Sequence, residues 1–174
     1  DGLVTHRHNQ GASVRVFEAD DVRDLYRVRR LLEVEGARAV TSASDAAFER
    51  IERAFEDLKE AALLGFSSVA LAQADTAFHG AVISLLGSPQ FDGFYQSIAQ
   101  QIVRVITLLQ ETDIAERRDL EAVVMEHHAI YEALRRRDAW EARRLVLEHI
   151  DRHEQNLLDG LDSPRVAGRE SLLQ

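Results

Sequence analysis

The stretch Leu120-Glu121-Ala122-Val123-Val124-Met125-Glu126-His127-His128-Ala129-Ile130-Tyr131-Glu132-Ala133-Leu134 decides the fold class. Leu120, Val123, Val124, Ile130, Tyr131 and Leu134 recur at the three- and four-residue spacing of one helical face. At roughly 100° per residue, His127 falls near the centre of that apolar stripe, while His128 turns toward its edge. An imidazole on a buried face must find a partner, because leaving a buried polar group unpaired costs about 1–3 kcal/mol. His127 is therefore the inward histidine of the pair and His128 the surface one.

The same periodicity continues in both directions. This helix is expected from about Ile114 to Arg137, and Asp138 caps the next, to about Leu158. The inner face of that last helix, Ala142, Leu145, Val146 and Ile150, also carries His149 and, one turn later, His153. Upstream, Ser88-Pro89 is a cap followed by proline at the first helical position, opening a helix to about Gln110. Ser67 opens another, to about Leu86, which Gly87 ends. Leu71, Phe78, Val82 and Leu86 mark its buried face, with Asp75 and His79 on the flank four residues apart. Ser44 caps a helix to about Leu64, closed by Gly65, and Asp20-Asp21 cap the first, to about Val40.

Six amphipathic helices with short connections make an all-α antiparallel bundle over residues 20–160. Before it, Leu3-Val4-Thr5 and Ser13-Val14-Arg15-Val16 read as a short β-hairpin around His8-Asn9-Gln10-Gly11. A lone hairpin of that size is marginal in water, so residues 1–19 read as the remnant of a larger unit and its linker. Residues 161–174, with Pro164 and Gly168, read as a flexible tail.

Composition bounds the function. The 174 residues are 45% hydrophobic and 29% charged, which suits one compact domain. No apolar run is expected to approach the length of a membrane span, and no membrane partner is expected. Cysteine is absent, which removes disulfides and thiolate metal sites and fits a reducing cytoplasm. Thirty acidic against 21 basic residues give a net charge of -9, which argues against this chain binding nucleic acid by itself.

Asp75, His79, His127 and His149 thus stand on the apolar sides of three helices. Three neutral imidazoles and one carboxylate converging in a bundle suit a divalent transition metal. Singly, an inward histidine is more often a satisfied core residue, and an Asp–His pair one turn apart a surface hydrogen bond. The pattern leaves both readings standing, and leaves open whether His149 and His153 both bind or one supports the other.

Four stretches together resemble a known family. Val28-Arg29-Arg30-Leu31-Leu32-Glu33 is similar to "vRxxlE", and Ala74-Asp75-Thr76-Ala77-Phe78-His79 to "aDxxFH". Glu126-His127-His128-Ala129-Ile130-Tyr131-Glu132-Ala133-Leu134 follows "eHxxIxxAi", while Asp138, Ala142 and His149-Ile150 follow "gDxxxAxxxxxxHl". The combination resembles the C-terminal effector-binding (FCD) domain of FadR-type transcription regulators in the GntR family, over about residues 20–155. The opening hairpin resembles the wing that ends the family's winged helix-turn-helix. The resemblance implies DNA binding through an N-terminal domain missing from this chain, a homodimer, and a divalent metal, zinc foremost and nickel or another ion as alternatives. It assigns the metal to Asp75, His79, His127 and His149 and gives His153 no counterpart. Ser88 stands where members often carry Asn, so an effector contact from that turn is not implied.

On these expectations the chain is no enzyme but the ligand-binding and dimerisation domain of a transcription regulator, sensing a small carboxylate effector at its metal. Arg29, whose planar fork suits carboxylates, would clamp the effector; the plainer role for it is an intrahelical pair with Glu33. Two alternatives remain: a metal-dependent hydrolase or oxygenase using an open coordination position, and a bundle in which the metal only staples helices.

Overall fold

The computed structural model describes residues 4–7, 11–14, 17–63, 68–110 and 120–161. Val4–Arg7 (β1) and Gly11–Val14 (β2) pair antiparallel, with Val4 opposite Val14 and Arg7 opposite Gly11. Among the described residues, six α-helices follow: α1 Ala19–Arg38, α2 Asp45–Leu63, α3 Ser68–Ile83, α4 Pro89–Gln110, α5 Leu120–Arg135 and α6 Ala139–Leu161. Short 3-10 turns at Ala39–Ser42 and Ser84–Leu86 follow α1 and α3. The expectations for Leu3, His8 to Gln10, Arg15, Val16, Gly65, Ser67, a helix start at Ile114 and a tail over 162–174 lie outside the described residues.

Local chemistry sets most helix ends. Ser44 Oγ accepts the Ala47 N–H at 3.3 Å and Asp138 Oδ1 the Glu141 N–H at 3.0 Å, each satisfying a donor the helix leaves free. The α1 boundary differs from expectation. The cap is Glu18, two residues before Asp20, and Asp21 accepts the Glu18 N–H at 3.0 Å from inside the first turn. Gly87, at φ 63°, closes the region after α3 in the left-handed conformation that glycine adopts without steric cost. Because the last turn of that segment tightens to 3-10, Leu85 rather than Leu86 is the fully buried leucine. Leu120, counted on the α5 stripe, is exposed at the helix start, and α6 runs three residues past Leu158, to Leu161.

Arg137 makes the α5–α6 corner. It sits at φ 56°, with its N–H donating to Leu134 O (2.9 Å) and the Asp138 N–H to Ala133 O (3.0 Å), a Schellman closure without the usual glycine. Its guanidinium donates to Ala43 O at 2.8 Å and lies 4.5 Å over the Phe48 ring. These contacts hold a residue in a sparsely populated backbone state and tie the α5–α6 corner to the segment joining α1 and α2.

Packing places α3 in the middle. It lies against α1, α2 and α4, while α1 runs along α6 and α2 along α5. The main core joins Phe17, Tyr26, Ile51, Phe78, Val82, Ile102, Ile130, Leu134, Val146 and Ile150, so the chain two residues before α1 is already anchored in the bundle. At Gly36 the backbones of α1 and α3 pass close together: a Cβ there would stand 2.4 Å from Val82 O. Composition underrated one segment. Val69–Leu86 is long and apolar enough to cross a membrane, yet half of it is buried inside the bundle and it carries Asp75 and His79. It is the core helix.

Candidate metal centre

All four ligand candidates are buried: His79 and His127 completely, Asp75 and His149 to within a few per cent. Asp75 and His79 come from α3, His127 from α5 and His149 from α6. Their ligand atoms lie within 4.8 Å of one another. The three rings crowd together, with centroids 4.5 Å (His127–His149), 5.0 Å (His79–His149) and 5.3 Å (His79–His127) apart.

Hydrogen bonding on the far side of each ring decides which nitrogen faces inward. His127 Nδ1 is 2.8 Å from Val123 O, and a carbonyl only accepts, so Nδ1 carries the proton and Nε2 the lone pair. His149 Nδ1 faces Glu126 Oε2 at 3.1 Å, which likewise leaves Nε2 as the lone pair. His79 Nδ1 is 2.7 Å from Glu33 Oε2, a short contact whose alignment is poor for a hydrogen bond. Two outer acceptors therefore leave Nε2 as the lone pair on His127 and His149, and the Glu33 carboxylate stands behind His79 in the same sense.

That arrangement is unfavourable without a cation. His127 Nε2 lies 3.3 Å from His79 Nε2 and 3.2 Å from Asp75 Oδ1, so acceptors face acceptors. Asp75 Oδ2 and His149 Nε2 are buried with no hydrogen-bond partner. Either shared protons or a metal ion must neutralise the centre. His127 Nε2 stands 3.2 Å from Asp75 Oδ1 and 3.3 Å from His79 Nε2, the spacing that two ligands with ion bonds of about 2.0–2.2 Å take, so the residue types present, all within 4.8 Å, fit a divalent transition metal. Outer acceptors on each imidazole are also what metal-binding histidines use.

The remaining sequence candidates fall differently. His128 is exposed and stacks on Phe55, with centroids 5.6 Å apart. His153 is buried but takes no place in the four-residue cluster. Its Nδ1 is 3.1 Å from the Tyr26 hydroxyl, to which Arg29 Nη1 donates at 3.1 Å. Since guanidinium never accepts, the Tyr26 proton goes to His153 Nδ1. Arg29 is completely buried on α1, with Nε donating to Glu33 Oε1 at 2.7 Å and Nη2 lying 3.5 Å from Oε2. The intrahelical pair with Glu33 is thus formed, and through Glu33 it reaches His79.

Two participants escaped sequence reasoning. Glu126 points about 100° from the inward direction of α5, yet its side chain crosses to α6, where it meets His149 and Arg152. Helical angle alone ignores the reach of a long side chain into a neighbour. Tyr26 could have been found: Val22, Leu25, Tyr26, Arg29 and Glu33 share one face of α1, and a tyrosine, arginine and glutamate on a buried face imply a network.

Electrostatics follow burial and neighbours. Burial would raise the Glu33 carboxyl, but Arg29 and then His79 outweigh it and hold it at about 2. Burial would raise Asp75, but it is held well below the usual carboxylate range when His127 and His79 present protons to it, which is the shared-proton alternative to a metal ion. Burial, and next the adjacent His127, push His149 down to about 3; burial also lowers His79, although Glu33 opposes it.

These shifts predict acid lability. An imidazole whose folded value lies below its ordinary 6.5 adds nothing to stability above that pH. Below it the unfolded chain takes up the proton first, and stability falls by about 1.4 kcal/mol per pH unit for each such group. Glu33 acts in the same direction below its ordinary 4.5. Metal-free protein is expected to show a flat melting temperature from pH 8 to about 6.5 and a steady decline from there to pH 4. Differential scanning fluorimetry across that range is the measurement.

Comparisons with known proteins agree with this architecture. Residues 24–152 match the FCD domain family. A GntR transcriptional regulator from Rhodococcus sp. RHA1 superposes with a TM-score of 0.77 at 25% identity, over 91% of this chain and 73% of that one. E. coli McbR/YncC gives 0.74 at 14% identity, over 90% of this chain and 77% of that one. A GntR family member from Pseudomonas syringae pv. tomato str. DC3000 gives 0.66 at 14%, over 95% and 67%. No curated protein matches the chain. With most of its length matched, the chain belongs to the FCD domain family, the effector-binding domain of GntR-type transcription regulators.

Proposed function

We propose that this domain senses a small carboxylic acid at a divalent metal, zinc foremost, held by Asp75, His79, His127 and His149. The observation that carries this reading is the convergence of three buried imidazoles on Asp75, with an acceptor behind His127 and His149 and the Glu33 carboxylate behind His79. Such an ion would supply a Lewis-acidic anchor for a carboxylate. Arg29 has N–H groups beyond those given to Glu33 and Tyr26, and these are its contribution to holding the acid. The regulator is of the FadR type, cytoplasmic, homodimeric and not catalytic. It acts on DNA through an N-terminal domain of which residues 1–19 are the wing and linker, and effector binding shifts the relative placement of those domains across the dimer.

The test is metal content by elemental analysis after purification without added metal, on wild type and His127→Ala. Wild type is expected to carry about one ion per chain and the variant almost none, because a four-ligand site loses most of its affinity with one ligand. Chelation should lower the melting temperature of wild type alone. Equal metal in both proteins would remove His127 from the site.

A further inference from the structure

The buried charges around this centre can be counted, and the count constrains the effector. Glu33 and Arg29 are each completely buried and joined at 2.7 Å through Oε1 and Nε. The guanidinium is therefore neutralised from within its own helix before any effector arrives. Tyr26 and Tyr95 are buried phenols, the first bonded to Arg29 and His153 and the second donating to Thr76 O at 3.2 Å; burial foremost raises both, so they carry no charge. Glu126 is paired with Arg152 at the edge. Resting on the proposed metal, the sum is then Asp75 at minus one, a neutral Arg29–Glu33 pair, three neutral imidazoles and a divalent ion. One positive charge is left over.

We propose that Glu33 makes this centre selective for monocarboxylates: by cancelling Arg29 from inside the bundle it leaves a single positive charge for the effector to meet. A second carboxylate brought into the same interior would be an uncompensated buried anion, which low-dielectric surroundings penalise strongly. Neutral hydroxyl or carbonyl groups on the acid carry no such penalty, and Arg29 retains N–H groups to meet them. Glu33 is thereby a specificity-determining residue as well as the outer partner of His79.

The test compares lactate with malate, which shares its α-hydroxy acid and adds one carboxylate, and propionate with succinate. Binding to metal-loaded full-length chain is read by calorimetry and by melting temperature. Wild type is expected to bind each monocarboxylate at least about tenfold more tightly than its dicarboxylate partner. Glu33→Gln frees the Arg29 charge and should shift that ratio toward the dicarboxylate in protein whose metal content is intact. Equal or tighter binding of malate and succinate by wild type would overturn the proposal, as would binding of none of the four acids by protein containing its ion. An unchanged ratio in metal-replete Glu33→Gln would also overturn it. Absence of metal from wild type is a separate outcome: it defeats the metal reading itself. The wild-type comparison needs no variant to fold.

Discussion

Replacing Arg29 by leucine is expected to cost about 3–5 kcal/mol of folding stability, because it strands Glu33 as a buried anion. Arg29 and Glu33 are both completely inaccessible, and Arg29 Nη1 also supports the Tyr26 hydroxyl. The loss should depend on pH with a definite sign. In wild type Glu33 is held at about 2, whereas without Arg29 burial raises it above its ordinary 4.5. The deficit is then fully expressed above the variant's raised value and fades as the pH falls from there to 4.5, because the folded variant takes up the proton before the unfolded chain does. Below 4.5 the wild type loses stability as well, which narrows the gap further. Urea unfolding at pH 7 and pH 4.5 measures the difference. Arg29→Leu with Glu33→Leu should recover most of the stability at pH 7, since an apolar pair of similar volume has no desolvation penalty. A double variant as unstable as the single one would mean that the cost comes from packing and not from charge.

Gly36→Ala is the second large effect. On helical propensity alone alanine should stabilise α1 by about 1 kcal/mol. The α1–α3 contact reverses the sign. The new Cβ would stand 2.4 Å from Val82 O and 3.0 Å from Ile83 Cα, both backbone atoms that no side-chain rotation can move. The helices must separate, and overpacking of this kind costs about 3 kcal/mol or more. For a domain of this size that corresponds to a melting temperature lower by roughly 6–12 °C. Thermal unfolding followed by circular dichroism reads it directly; an unchanged or raised transition would show that α1 and α3 can part without loss. If the proposed metal binds, its affinity should fall as well, because α1 carries Glu33 and α3 carries Asp75 and His79.

What was legible in the sequence was whatever is written locally. The Ser44 and Asp138 caps, the Ser88-Pro89 start and the Gly87 stop are short-range chemistry, and each has its place in the structure. The direction of His127 followed from its position on one helix, and so did the exposure of His128. Contacts between helices were not legible in the same way. Glu126 reaching His149 depends on how α5 lies beside α6, and Gly36 under Val82 on how α1 crosses α3. Nothing in the periodicity of one element encodes the separation from its neighbour. The Glu18 cap and the burial of Leu85 in place of Leu86 show a third kind of difference, in which a shift of one or two residues in helix start or pitch moves which side chain caps or packs.

His79, His127 and His149 are each braced from behind by a different body: a carboxylate on α1, the backbone of α5 itself, and a carboxylate that α5 extends toward α6. A rigid displacement of α1 would withdraw one brace and leave the other two in place. Were the centre to hold its proposed cation, the grip on it would serve as a gauge of helix alignment, loosening by degrees as the bundle shears.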